Sequence, residues 1–199
     1  MTEDVLRRLR TATADDHERV EAALDLMDPE LDRSRLAAAV GRLHAFWRAA
    51  ERGLDGWAAR HPCDAARAGW ADRRRTHLYA ADVRALGVEP VQGEPSLHPV
   101  AGTDDAFGRM YVLEGSTLGG TSIDRHLASL PGLTGVRLRA FSPYGERTGA
   151  MWAVFRRATR EHVASGGDPE RVVDAARSTF AALYRWVDEA AREPVRNPA

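Results

Sequence analysis

Apolar residues recur at spacings of three and four along almost the whole chain, and nowhere does a sustained alternation rich in valine, isoleucine and threonine occur. The pattern predicts an all-α protein. A first helix is expected from about Asp4 to Met27, with Leu9, Thr13, His17, Val20 and Leu24 on one face and Pro29 beyond its end. Asp32 or Ser34 can cap a second helix reaching about Arg60, with Leu36, Val40, Leu43, Trp47, Ala50 and Leu54 as its buried stripe and Pro62 as its stop. A third helical region runs from Asp64 to Leu86 and closes at Gly87.

The segment from Val88 to Gly102 holds Pro90, Pro95 and Pro99 and is the one long connection. Neither flank has a complete core of its own, so the segment is read as a loop within one domain spanning residues 1–199. Thr103 or Asp104 caps the next helix, which carries Phe107, Met110, Tyr111, Leu113 and Leu118 and ends at Pro131-Gly132. Another helix begins after Ser142-Pro143 and runs to Ala164. The last starts with Asp168 as N-cap and Pro169 in the first turn, and continues through Val172, Phe180, Leu183, Tyr184 and Val187.

Composition narrows the chemistry. All 28 residues counted as lysine or arginine are arginine. Without lysine there can be neither a Schiff-base pyridoxal enzyme nor a Walker phosphate loop. The formal net charge of -1 supplies no global field for nucleic acid, and Arg73-Arg74-Arg75 reads as a solvated helix face. One cysteine, Cys63, allows no internal disulfide and no cysteine-rich metal site. No apolar run approaches a membrane span, and the acidic start Met1-Thr2-Glu3-Asp4 is unlike a secretory signal. A soluble, cytoplasmic protein is therefore expected.

Two features stand out. Gly115-Ser116-Thr117-Leu118-Gly119-Gly120 puts three glycines inside a helical segment, each costing about 1 kcal/mol relative to alanine. Close helix packing or a break between two helices would explain them. So would a helix bending its bare backbone against a flat ligand. The other feature is His17, on the apolar stripe of the first helix, which is open to two readings: a hydrogen-bonded core histidine or a ligand. The remaining histidines form no metal-ligand spacing; His44 reads as structural.

The run Leu9-Arg10-Thr11-Ala12-Thr13-Ala14-Asp15-Asp16-His17 resembles the start of the first helix of heme oxygenases, whose histidine is the proximal iron ligand. Tyr111-Val112-Leu113-Glu114-Gly115-Ser116-Thr117-Leu118-Gly119-Gly120 is similar to the family's distal helix, whose glycines bend over the other heme face. Leu43-His44-Ala45-Phe46-Trp47, and Leu78 followed by Asp82, fall where similar patterns lie in the family, so the resemblance spans nearly the whole chain. It looks especially like the bacterial branch that supplies biliverdin to phytochromes.

The resemblance implies a single-domain helical bundle with heme between the first helix and a glycine-kinked distal helix. It implies His17 as the iron ligand and Arg10, Tyr111 and Arg156 as partners of the heme propionates. Gly115, Ser116, Gly119 and Gly120 would form the distal wall, the last three in the catalytic role. Heme, as substrate and prosthetic group, would be opened by O2 and reducing electrons to biliverdin, iron and carbon monoxide. A reductase or ferredoxin would be the external electron donor, and a bacteriophytochrome a recipient of biliverdin. One departure matters: many heme oxygenases place an aspartate after the first distal glycine, where this chain has Ser116. A hydroxyl can hold a water but carries no charge. That departure motivates the alternative of a non-catalytic heme-binding, transport or sensing protein. A thiol-dependent enzyme on the same scaffold is disfavoured because Cys63 sits beside Pro62, and a di-iron site because no Glu-x-x-His pair exists.

Overall fold

The structure, a computed structural model, describes residues 4–192, with side chains as far as 189. It is all-helical, with no strand among the described residues. The predicted first helix is two helices, α1 (Val5–Ala12) and α2 (Ala14–Leu24). They part at Thr13, whose hydroxyl donates back to the Leu9 carbonyl at 2.8 Å, a local bond that competes with helix geometry. Asp4 caps α1 by accepting from the Leu6 amide at 3.1 Å, and Asp25 ends α2 in the left-handed region, two residues before the predicted end at Met27.

Helix α3 (Arg33–Arg60) keeps its predicted bounds, with Asp32 accepting from the Arg35 amide at 2.8 Å and its whole predicted stripe buried. The third region is broken into α4 (Pro62–Ala68), a 3-10 turn at Trp70–Asp72 and α5 (Thr76–Leu86), which Gly87 closes at φ 73°. Between turn and helix lies Arg73-Arg74-Arg75, and here the solvated-face reading fails. Because this stretch is not helical, its side chains alternate: Arg74 is exposed, while Arg73 and Arg75 are only 2% and 1% exposed.

The Val88–Gly102 connection lies against α3, tied down by Arg60 to the Val100 carbonyl at 2.6 Å, by Arg109 to the His98 carbonyl, and by Glu94 to Arg48 and Arg52. Gly102 then precedes α6 (Thr103–Gly115), and Asp105 reaches back to the amides of Ala101 and Gly102 at 2.9 and 3.1 Å. The predicted helix to Pro131 is interrupted: α6 stops at Gly115 and α7 (Gly120–Ser129) begins after an irregular turn. Helix α8 (Thr148–Ala164) starts later than Pro143, and α9 (Pro169–Arg192) begins at its predicted cap, with Asp168 accepting from the Glu170 amide at 2.9 Å.

Helix α9 is the spine. It packs along α6 and also touches α1, α2 and α3. A Cβ at Gly108 would collide with the α9 backbone at Val172 and Ala176, so the glycine permits the close α6–α9 crossing. Leu9, Phe46, Leu54, Trp57, Phe107, Met110, Phe155 and Val172 fill the core. No helix among the described residues is long and apolar enough to cross a membrane.

Candidate active site

A cavity of about 760 Å³ opens between α1 and α2 on one side and α6, α8 and α9 on the other. Beyond the break at Thr13, α2 carries His17 on its cavity side. Half of the His17 side-chain surface is open, so it is not a packed core histidine. Its ring meets the edge of Phe180 from α9 at a centroid distance of 5.9 Å, and its Nδ1 lies 3.4 Å from the Glu21 carboxylate one turn on. A carboxylate at Nδ1 orients the ring and leaves Nε2 for a ligand.

Leu6, Leu118, Trp152 and Phe180 supply apolar wall, and Leu118 is 51% exposed in the turn after α6. Tyr111 stands near Trp152, ring centroids 6.0 Å apart. Burial pushes its phenol above the ordinary value, with a hydrogen bond to Thr13 and the charge of Arg10 pulling partly back, so it remains a neutral hydroxyl. Gly115 faces the cavity with nothing within 4 Å of where a Cβ would sit. Around the mouth are Arg7, Arg10, Arg156 and Arg160. Arg160 holds Asp4, whereas Arg10 and Arg156 make no hydrogen bond or ion pair with a described residue.

Of the residues singled out in the sequence, Arg10, His17, Tyr111, Gly115 and Arg156 come together around this one cavity. Ser116, Gly119 and Gly120 are not among its lining residues. The Ser116 hydroxyl is turned inward, donating to the Leu113 carbonyl at 2.7 Å and accepting from Arg75 at 3.1 Å. Gly120 lacks a side chain because a Cβ there would fall on the Phe141 carbonyl, which is the packing explanation of that glycine. Gly119 borders open space without reaching the cavity.

The kink has its own support. Ending α6 at Gly115 leaves carbonyls without helical partners, and the buried Arg75 guanidinium donates to the Leu113 carbonyl. At the next residue the buried Glu114 carboxylate receives Arg73 and, at 2.8 Å, the Tyr144 hydroxyl. Sequence reading missed these arginines because their adjacency resembles a charged surface run. It also missed Glu21, which an i,i+4 spacing from His17 could have suggested, and Trp152 and Phe180, whose positions come only from packing.

No family model matches the chain. A heme oxygenase of Xanthomonas campestris pv. campestris (strain 8004) is 29% identical over 164 residues, covering 81% of this chain and 94% of that protein. The crystal structure of the heme oxygenase from Neisseria meningitidis, solved in NO- and CO-bound forms, matches with a TM-score of 0.74 at 20% identity, over 98% of this chain and 96% of that one. The second likeness establishes the fold, and the first extends it to sequence. The chain is thus similar to one heme oxygenase in sequence and shares the fold of another.

Proposed function

We propose that this protein is a heme oxygenase that takes heme as its substrate and cleaves it to biliverdin, iron and carbon monoxide. The observation that carries the reading is the gathering around one cavity of an oriented histidine, an open glycine, apolar walls and two arginines, Arg10 and Arg156, that pair with no described residue. Its volume of about 760 Å³ is within the roughly 300–1,000 Å³ range of ligand pockets. A flat apolar macrocycle with a metal at its centre and two carboxylates at one edge fits each part of that inventory.

Bound heme supplies an iron that takes up O2 and, being itself the substrate, the porphyrin carbon that is oxidised. His17 is proposed as the iron ligand, with Glu21 holding the ring by Nδ1. Arg10 and Arg156 are proposed to receive the propionates, where charge-assisted bonds fix the rotation of the ring in its plane. Tyr111 offers a neutral hydroxyl on the same wall. Gly115 allows the backbone of the kink to approach the distal face, and Leu118, exposed without ligand, would be covered by the ring. Arg75 and Leu113 hold the Ser116 hydroxyl, so distal polarity in this reading comes from the backbone of the Gly115–Gly119 turn.

The reaction needs electrons from outside the chain, so a ferredoxin or a reductase is the proposed donor, and the cytoplasm the proposed setting. Delivery of biliverdin to a bacteriophytochrome is the finest part of the proposal. The test is to add heme to the purified protein, then ascorbate or reduced ferredoxin under oxygen. Loss of the Soret band with appearance of the biliverdin spectrum is expected. Stable binding of heme with no conversion under any donor would turn the reading to a heme carrier or sensor, and absence of binding would remove it altogether.

A further inference from the structure

We infer that Asp4 is an internal carboxylate that competes with the substrate's own carboxylates for Arg160, so that the start of α1 tunes how tightly a dicarboxylic porphyrin is held. The inference rests on the proposed heme site.

Asp4 and Arg160 both line the cavity, although 156 residues separate them in the chain. Arg160 grips the Asp4 carboxylate with its planar fork: Nε lies 3.2 Å from Oδ1 and 3.1 Å from Oδ2, and Nη2 lies 2.7 Å from Oδ2. This is the arrangement a guanidinium offers any carboxylate, a propionate included. The pair is open to water, with side chains 41% and 48% exposed for Asp4 and Arg160, and exposed pairs of this kind are weak and readily exchanged.

Charge around the cavity points the same way. Four arginines, Arg7, Arg10, Arg156 and Arg160, face three carboxylates, Asp4, Glu18 and Glu21, and Glu21 is engaged by His17. The Arg160 hydrogen bond holds the Asp4 carboxyl below the usual carboxylate range against the opposing effect of desolvation, and the Leu6 amide and the charges of Arg160 and Arg156 add to the lowering. Asp4 is therefore anionic at neutral pH and lies within the field of two of the cations that a propionate would seek. A substrate carboxylate arriving at this edge meets Arg10 and Arg156 open and Arg160 already satisfied. It gains Arg160 only when Asp4 yields it, which a porphyrin without carboxylates has no means to induce.

Asp4→Asn isolates the competition, because asparagine is as good an N-cap as aspartate and keeps α1 anchored while losing the charge. Titrations of the full-length protein with heme and with the dimethyl ester of the same iron porphyrin, followed in the Soret band, provide the test. The variant should bind heme about two- to fivefold more tightly, the scale of an exposed ion pair, with no change for the diester. Arg160→Gln should weaken heme alone by a similar factor, and adding Asp4→Asn to it should have no further effect. Equal heme affinity of Asp4→Asn and the unmodified protein would overturn the inference, as would tightening of both porphyrins alike. Weaker heme binding with a lowered melting temperature would overturn it in favour of a structural clasp. If the unmodified protein binds neither porphyrin, the heme site itself falls, and the inference with it.

Discussion

His17 combines a ring half open to a cavity, an edge contact with Phe180 and a carboxylate at Nδ1. Replacing it with alanine should abolish the histidine-ligated Soret spectrum of added heme, and exogenous imidazole should restore it by occupying the vacated space. An unchanged spectrum would assign the iron to another residue. Arg10 and Arg156 are tested by affinity. A hydrogen bond to a charged group is worth about 1.5–3 kcal/mol, reduced at an open rim, so each glutamine substitution should weaken heme binding by roughly 3- to 30-fold. The double variant should lose about the product of the two if each serves a different propionate, which fluorescence quenching by heme measures.

The interrupted distal segment makes Gly115 and Gly120 do different work. At Gly120 there is no room, so Gly120→Ala should destabilise the fold by about 1–3 kcal/mol, as overpacking does, whether or not heme is present. At Gly115 there is room only in the cavity. Gly115→Leu should leave the melting temperature of the ligand-free protein nearly unchanged, helped by better helix propensity, yet obstruct heme. Circular dichroism beside heme titration separates the two, and a common outcome would mean that Gly115 also serves packing. The element's anchor is the buried Arg73–Glu114 pair. Arg73→Met strands a carboxylate that is 2% exposed, with only the Tyr144 hydroxyl left to it, and should cost about 3–5 kcal/mol in chemical denaturation.

At the scale of the whole molecule, the cavity is a junction and not a property of any one helix: α1, α2, α6, α8 and α9 each contribute a wall. A ligand that touches all of them acts as a clasp on the native state. Heme at a free concentration of 100 times its Kd should add about 2.7 kcal/mol of stability and, for a chain of this length, raise the melting temperature by roughly 5–10 °C. The same free concentration of heme added to His17→Ala, now a smaller multiple of a weakened Kd, should give a smaller shift. Equal shifts would show binding elsewhere on the surface.

Periodicity alone carried the helical class, the bounds of α3 and the start of α9, because a buried stripe and a capping carboxylate are local facts written in consecutive residues. Periodicity also drew attention to His17 and to the glycines that include Gly115, whereas Arg10, Tyr111 and Arg156 were candidates only through the resemblance to heme oxygenases. What it did not carry depends on partners distant in the chain. Thr13 breaks the first helix by a bond that competes with a helix the pattern fully supports. Arg73 and Arg75 look like surface charge until Glu114 and the end of α6 arrive to receive them. Ser116 and Gly120 carry the same distal signature as Gly115, yet a few residues of helix geometry turn one toward Arg75 and the other onto Phe141. Sequence determined which residues were candidates. Only the α6–α9 crossing and the two helix breaks decided which of them face the same cavity, because burial and direction are set by what the rest of the chain leaves beside each side chain.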